Sequence, residues 1–340
     1  MTTNESESLR GIIPMMRRGV SRALDKQPQT GVEVPGVGEG GISAWWHKAP
    51  VEGKAPALFE LHGGGFALGD ARKGDALRTW MAHRWGVHCV GVGYRLAPEN
   101  PWPAALDDVV DTLRHFARHA DEYGMDPERF YLVGYSAGAN LALAACLKLQ
   151  DDDDPGFAVK GIALHYPFVD AVTDPASIPS KDGDIPQEMM TAFNSWYATD
   201  NDPRNPLISP LFATDGQLAR LPFAAQYPAV GDALFESSRK LDERLRAAGA
   251  RCAFHPVEGA YHGYIEDAEN LPVYRATSLP ETVAAHPDGF AQVAADTIAA
   301  SLDEILGAPR CDVPFSPETA IEDARRYAAQ AKEVADEPVE

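Results

Sequence analysis

The stretch Phe130-Tyr131-Leu132-Val133-Gly134-Tyr135-Ser136-Ala137-Gly138 decides the fold of this 340-residue chain. Its first four residues are apolar and typical of a buried strand, and residues 140–147 beyond it are typical of a helix. A G-x-S-x-G sequence between a strand and a helix is the pattern of a nucleophile elbow. The two glycines leave room for a tight turn that presents the Ser136 hydroxyl at the helix N-terminus. The flanking strand and helix favour this interpretation over a chance match in a helix start rich in glycine and alanine.

Strands and helices are predicted to alternate along most of the chain. Apolar runs typical of strands occupy residues 57–61, 87–94, 130–133, 159–166, 222–230 and 252–256. Helical patterns occupy residues 73–85, 104–119, 140–147, 187–196, 237–248 and 287–306. Alternating apolar residues at 32, 34 and 42 predict an additional early hairpin. This alternation predicts an α/β fold in which helices cover both faces of a mostly parallel central sheet.

A nucleophilic serine needs a general base, and four histidines follow Ser136 in the sequence. His165 and His255 fall within apolar strand patterns, where a histidine is more often a core residue. His286 lies in a polar segment beside a proline. His262 follows the last predicted strand and has glycines close on both sides, which favours a loop. His262 is therefore the candidate base, and the alternative interpretation is a histidine of a surface loop.

The acid that orients the base is expected between the serine and the histidine in the chain. Asp232 directly follows a predicted strand, so its carboxylate is placed to orient His262 and to stabilise the imidazolium. Asp242 and Glu236 are the alternatives, but both lie on a predicted helix, where we expect them to face solvent. The sequence therefore predicts a triad of Ser136, Asp232 and His262.

The sequence His62-Gly63-Gly64-Gly65 follows a predicted strand and supplies a second element of the site. A tetrahedral intermediate carries an oxyanion, which is stabilised by backbone N–H donors fixed in advance. Successive glycines let the backbone approach the substrate closely, and the amide of Ala137, after the nucleophile, completes this type of oxyanion hole. Because ligands of such sheets bind at the carboxyl ends of the strands, we expect this loop and the triad to meet there.

Composition limits the class of partner. The chain is 45% hydrophobic and 24% charged, which is ordinary for an enzyme with a full core. Its formal net charge of −20 argues against nucleic acid or an anionic membrane as a partner. No motif for a cofactor is found, and no cluster has the spacing of metal ligands. We therefore expect no cofactor, no metal and a small molecule as the substrate.

The N-terminal sequence and the cysteines indicate the compartment. The apolar run at 12–16 is too short for a signal peptide, and no stretch has the length and apolarity of a membrane span. Cys89, Cys146, Cys252 and Cys311 form no C-x-x-C pair, and three of them lie in apolar strand or helix patterns. We interpret them as buried free thiols in a reducing compartment, which predicts a cytoplasmic protein.

These motifs together resemble those of the bacterial hormone-sensitive-lipase family of α/β-hydrolases, which includes carboxylesterases and acetyl esterases. The matching segments are HGGGFALGD at 62–70, YRLAPE at 94–99, PWPAALDD at 101–108, GYSAGANLA at 134–142 and the surroundings of Asp232 and His262. They occur in order over about residues 55–265, and this joint occurrence is highly specific. Departures from the family pattern include Tyr135, where the family usually has aspartate, and Gly93, where an aspartate often precedes the tyrosine.

The resemblance implies an α/β-hydrolase fold with a small helical cap, and it implies roles for individual residues. Ser136, Asp232 and His262 would form the triad, and Gly64, Gly65 and Ala137 would donate to the oxyanion. Residues 1–307 would form one domain, with cap segments at about 1–50 and 175–210, and Arg95 would be ion-paired. The resemblance does not cover the acidic segment 308–340.

The expected function is that of a serine carboxylesterase acting on small, soluble, short-acyl esters. A serine peptidase or amidase of the same fold is one alternative, although such enzymes often carry a large extra domain. A ligand-binding protein without catalysis is another, although such a protein is expected to have lost its nucleophile or base. The oligomeric state is left open, with a homodimer as one arrangement.

Overall fold

The computed structural model of the protein describes residues 3–26, 29–179, 185–268 and 287–307. The expected segment 308–340, with Cys311 in it, lies outside these residues, as does His286. Eight strands of the described chain form one sheet in the order β1-β2-β4-β3-β5-β6-β7-β8. The strands are β1 Val32–Val37, β2 Ile42–His47, β3 Ala55–Leu61, β4 His88–Val92, β5 Met125–Tyr135, β6 Val159–His165, β7 Phe223–Tyr227 and β8 Cys252–Phe254.

Strands β3 to β8 pair in parallel, whereas β1 pairs antiparallel with β2, and β2 antiparallel with β4. The predicted early hairpin and the predicted mostly parallel sheet are thereby confirmed. All residues of β3 and β4 are buried, because both faces of the sheet are covered at its centre.

Helices follow most of the strands. The helices of the described chain are α1 Thr3–Leu24, α2 Asp75–Trp85, α3 Ala104–Arg118, α4 Ala120–Tyr123, α5 Ala137–Lys148, α6 Gln187–Ala198, α7 Asp215–Ala219, α8 Phe235–Ala247, α9 Tyr264–Ala268 and α10 Pro287–Leu306. Short 3₁₀ turns occupy Leu149–Asp151, Pro175–Ser177 and Pro210–Phe212. Among the described helices, none has the length and apolar character needed to cross a membrane.

Two apolar layers hold the helices to the sheet. On one face, Trp80 and Trp85 of α2 pack in the same cluster as Ile298 and Leu302 of α10. On the other face, α3, α5 and α8 share the larger cluster, to which Leu241 of α8 belongs. The sheet is therefore enclosed between helices on both sides, which confirms the predicted α/β-hydrolase architecture.

Two helices lie together beside the loop that follows β3. Ile13 of α1 belongs to the same apolar cluster as Phe193 and Trp196 of α6 and Leu68 of that loop. Within the expected cap segment 1–50, α1 therefore contacts the second segment through α6, whereas β1 and β2 lie in the sheet. The hairpin joins the sheet because β2 pairs with β4 along residues 44–47, which satisfies the backbone of an otherwise open edge.

Candidate active site

Ser136 stands at a strained turn between β5 and α5. Its backbone angles are φ 51° and ψ −113°, a conformation that costs free energy for any residue other than glycine. The N–H of Ser136 donates to the carbonyl of His165 at 3.0 Å, and its own carbonyl accepts from Asn140 and Phe168, each at 3.2 Å. These three hydrogen bonds hold the turn, as expected of a nucleophile elbow.

The two glycines of the elbow are required by close packing of the backbone. A Cβ on Gly134 would come within 2.5 Å of the carbonyl carbon of Gly138. A Cβ on Gly138 would overlap the carbonyl oxygen of Leu61, the last residue of β3. The start of α5 therefore rests directly on the end of the neighbouring strand, and larger residues at these positions would displace the turn.

In the predicted triad, His262 lies within hydrogen-bond distance of both Ser136 and Asp232. Nε2 of His262 lies 2.9 Å from Oγ of Ser136, and Nδ1 of His262 lies 2.8 Å from Oδ2 of Asp232. Only 2% of the Asp232 side chain and 9% of the His262 side chain are exposed, so water competes weakly for these bonds. The geometry allows the serine proton to pass to an imidazole that a carboxylate orients.

Backbone contacts between two loops bring Asp232 to His262. The N–H of Gly231 donates to the carbonyl of Ala260 at 3.0 Å, and a Cβ on Gly231 would approach that oxygen to 2.7 Å. The other carboxylate oxygen of Asp232 accepts from the N–H of Leu234 at 3.0 Å. The glycine before the acid thus lets the two loops touch, and the second hydrogen bond fixes the carboxylate.

The alternative acids have other partners on α8. Glu236 is paired with Arg239, and both side chains are exposed, as expected. Asp242 is paired with Arg246 at 2.8 Å but is only 8% exposed, so the expectation that it faces solvent is wrong. It lies on the buried side of α8, where the long arginine side chain reaches it from the following turn.

The alternative histidines differ from one another. His165 is fully buried, as predicted, and burial lowers its pKa to about 3, so it stays neutral near pH 7. His255 was expected inside a strand, but it lies one residue beyond β8, is half exposed and contacts Glu304 at 3.0 Å. β8 is a three-residue strand at the end of the sheet, so the apolar run that contains His255 continues past it.

The glycine loop after β3, residues 62–65, lies between Ser136 and α6. Gly64 and Gly65 have φ angles of 119° and 60°, which glycine adopts readily. A Cβ on Gly65 would overlap the ring of Phe193, so this ring packs directly on the loop. In the described part of the chain, the N–H groups of Gly64, Gly65 and Ala137 donate to no backbone carbonyl. These N–H groups remain available to a ligand.

His62, the first residue of this loop, supports it rather than facing the triad. Its ring stacks on Tyr94 at 4.2 Å, and the Tyr94 hydroxyl donates to the His62 carbonyl at 2.7 Å. Its Nδ1 lies 2.8 Å from the carbonyl of Gly63. Burial lowers the pKa of His62 to about 4, so it carries no charge near neutral pH. Arg95, next in sequence to Tyr94, is ion-paired with Asp108 at 2.8 Å, as the resemblance implied.

A buried ion pair next to the glycine loop is not among the features predicted from the sequence. Nζ of Lys73 lies 3.1 Å from Oε1 of Glu266, and both side chains are at least nine-tenths buried. Glu266 follows His262 by four residues, and this short separation in the chain is the signal that could have suggested a role for it at the site. Among the described residues, no group of histidine, cysteine, aspartate and glutamate side chains is arranged to hold a metal ion.

Comparisons with known proteins agree with the fold and with esterase activity. An alpha/beta hydrolase fold family matches residues 58–266 of the chain. Esterase LipI of Mycobacterium tuberculosis is 32% identical over 235 residues, which cover 67% of this chain and 71% of the relative. An acetyl esterase of Salmonella schwarzengrund is 32% identical over 220 residues, covering 64% of this chain and 67% of the relative.

Solved structures of esterases have the same fold. A thermostable esterase from Pseudomonas putida superposes with a TM-score of 0.65 at 26% identity, covering 82% of this chain and 86% of the other. An esterase from Pyrobaculum calidifontis gives a TM-score of 0.66 at 25% identity, covering 84% and 94%. The chain belongs to the α/β-hydrolase fold family, and within it to the hormone-sensitive-lipase-like carboxylesterases that its motifs resemble.

Proposed function

We propose that this carboxylesterase hydrolyses small, short-acyl esters, with Ser136 as nucleophile, His262 as base and Asp232 as the acid that orients it. The observation that carries the proposal is the hydrogen-bonded series from Asp232 through His262 to Ser136, at 2.8 and 2.9 Å. These residues are 30 and 126 positions apart in the chain, so their convergence is a property of the fold.

Each step of the proposed reaction uses a group at this site. Oγ of Ser136 attacks the ester carbonyl carbon while Nε2 of His262 takes its proton, and Asp232 stabilises the imidazolium. The carbonyl oxygen becomes an oxyanion, which accepts hydrogen bonds from the amides of Gly64, Gly65 and Ala137. His262 then protonates the leaving alcohol, which leaves an acyl group on the serine. A water molecule activated by His262 hydrolyses this acyl-enzyme and releases the carboxylic acid.

The surroundings of Ser136 favour small substrates. The residue is only 4% exposed, and Phe193 of α6 lies on the neighbouring glycine loop. A cavity of about 270 Å³ borders Asp232, Met190 and Asn194, but neither Ser136 nor His262 lines it, so it does not bear on the acyl group. Acyl groups of about two to four carbons suit the enclosed serine better than a long chain, which needs an extended groove.

The proposal is tested by Ser136→Ala, assayed with p-nitrophenyl esters from acetate to palmitate and with an anilide. We expect a loss of about 10⁴-fold or more in kcat, because removing a triad member leaves only the oxyanion hole and binding. Ser238→Ala is the matched control, since Ser238 is a buried serine of α8 whose hydroxyl donates to the Leu234 carbonyl. Near-normal turnover by Ser136→Ala would refute the mechanism. Preferred cleavage of the anilide by the unsubstituted enzyme would indicate an amidase. An optimum at acyl chains of about eight carbons or more would refute the proposed substrate class.

A further inference from the structure

The carboxylate of Glu266 contacts the glycine loop at Gly63. Its Oε1 accepts a hydrogen bond from the N–H of Gly63 at 3.2 Å. A Cβ on Gly63 would come within 2.6 Å of Oε2, so only glycine lets the carboxylate lie this close to the backbone. The contact joins residues 203 positions apart and fixes the peptide unit between His62 and Gly63, which is one unit before the N–H of Gly64.

Glu266 is itself held in place by a series of buried charges. Lys73 lies 3.1 Å from the same carboxylate oxygen, Oε1. Arg78 donates to the carbonyls of Ala71, at 2.7 Å, and Lys73, at 2.6 Å, and it also pairs with Glu60 at the end of β3. The segment that carries Lys73 is therefore anchored to the strand from which the glycine loop begins.

We propose that Glu266 is a positioning residue of this esterase, which holds the oxyanion-binding loop in register with the segment that carries His262. The inference rests on the proposed function. Gly63 belongs to one segment of the site and Glu266 to the other, since α9 begins two residues after His262. A hydrogen bond between them fixes the distance between the oxyanion donors and the base, and errors of about 1 Å in such geometry cost about 10²-fold in rate.

The charge of the carboxylate is suited to this role. Burial tends to raise the pKa of Glu266, but the attraction of Lys73 outweighs it and holds the pKa below its ordinary value. Glu266 is therefore an ionised acceptor near pH 7, and a hydrogen bond to an ionised acceptor is stronger than one between neutral groups.

The test compares two double variants that both remove the buried charges. Lys73→Met with Glu266→Gln keeps an oxygen that can accept from Gly63, whereas Lys73→Met with Glu266→Met removes it. Replacing a buried ion pair by apolar residues of similar size is often neutral or stabilising, so we expect both proteins to fold. We expect the Gln variant to keep kcat within about threefold of the unsubstituted enzyme and the Met variant to lose about 10- to 100-fold, with KM nearly unchanged.

Two readouts separate positioning from stability. kcat is expressed per active site, titrated with a phosphonate that labels the serine, and affinity is measured for a trifluoromethyl ketone, whose adduct carries an oxyanion. The Met variant should lose affinity for this ketone by about the same factor as kcat, because both depend on the same donors. Equal kcat in the two variants, or a loss of rate per milligram of protein that a lower titrated fraction fully accounts for, would overturn the inference.

Asp108→Asn provides the control for disturbing a buried carboxylate elsewhere. The Asp108 carboxylate is paired with the Arg95 guanidinium and also accepts a hydrogen bond from the backbone N–H of Arg95 at 2.8 Å. Like Glu266, it therefore contacts one cation and one backbone N–H. We expect this variant to lower Tm without changing kcat per active site; an equal loss of kcat here would mean that Glu266 acts only through stability, against the inference. Full activity of Ser136→Ala would instead refute the proposed function, so the two failures are distinguishable.

Discussion

At the scale of single residues, two histidines seven positions apart have different surroundings. His262 is held between Ser136 and Asp232 and lies edge-on to the Tyr166 ring at 5.2 Å. His255 is half exposed and bonded to Glu304, which lies on α10. The contrast gives a direct test of the base, because one imidazole faces the serine and the other faces solvent.

His262→Ala should lose about 10⁴-fold or more in kcat, because the serine then has no base within reach. His255→Ala should stay folded and keep kcat within about twofold, since it removes a half-exposed ion pair of small energy and a ring contact with Tyr227, both away from the serine. Both are measured as kcat on p-nitrophenyl acetate, with Tm as the check on folding. The reverse pattern would show that the wrong histidine has been assigned.

The glycines of the loop after β3 are less useful for mutagenesis than the sequence suggests. A Cβ on Gly64 would overlap the carbonyl oxygen of Leu68, and its φ of 119° is strained for any other residue. A substitution there would lower stability and remove a donor at once. The role of the loop is therefore better probed through Glu266, which contacts it by a side chain.

At the scale of elements, periodicity and apolar runs are enough to place most strands and helices, whereas the short helices α4, α7 and α9 are not predicted. The predicted helix at 187–196 is α6, Gln187–Ala198, and the predicted strand at 159–166 is β6, Val159–His165. Local sequence carries this information because each element buries one face or both. It does not carry the burial of Asp242 or the contact of Glu266 with Gly63, since these depend on residues far away in the chain.

The same distinction applies within the site. Ser136, Asp232 and His262 were selected because each follows a strand, and the carboxyl ends of parallel strands meet at one edge. The packing of Phe193 on Gly65 cannot be predicted from the sequence, because the two residues are far apart in the chain. We therefore propose that helix α6 limits the size of the substrate through Phe193, which the following variant tests.

Phe193→Ala should shift the preference of the enzyme toward longer acyl chains. Removing the ring opens space above Gly65, and in an apolar pocket one methylene is worth about 10-fold or more in specificity. We expect the ratio of kcat/KM for octanoate to that for acetate to rise by about 10-fold. The measurement is the p-nitrophenyl ester panel applied to the purified variant.

Thr191→Ala is the control on the same helix, since its hydroxyl only donates to the Gln187 carbonyl one turn earlier. It should leave the chain-length profile unchanged. An unaltered profile in Phe193→Ala as well would mean that this ring does not limit the acyl group, and the proposed role of α6 would be wrong.

At the scale of the whole molecule, buried histidines couple stability to pH. Burial lowers the pKa of His62 and His88 to about 4 and that of His165 to about 3. In the unfolded chain each titrates near its ordinary value of about 6.5. Between these values the unfolded chain binds more protons than the folded one, so stability is lost as pH falls from about 6.5 toward 4.

The free energy of unfolding should therefore fall by up to about 4 kcal/mol per pH unit below pH 6, because each histidine contributes about 1.4 kcal/mol per unit. Urea unfolding at pH 7.5, 6.5, 5.5 and 4.5 measures this slope. His165→Phe should reduce this slope by up to about 1.4 kcal/mol per pH unit. His165 lies between the rings of Tyr135 and Tyr227, and a phenylalanine there binds no proton. Asp70 and Glu266 also have pKa values below the ordinary ones. Their contribution to stability is lost only at still lower pH, when these paired carboxylates take up protons. A midpoint that stays constant from pH 6.5 to 5, or a slope that His165→Phe does not change, would show that these imidazoles gain protons in the folded state and are less enclosed than their burial indicates.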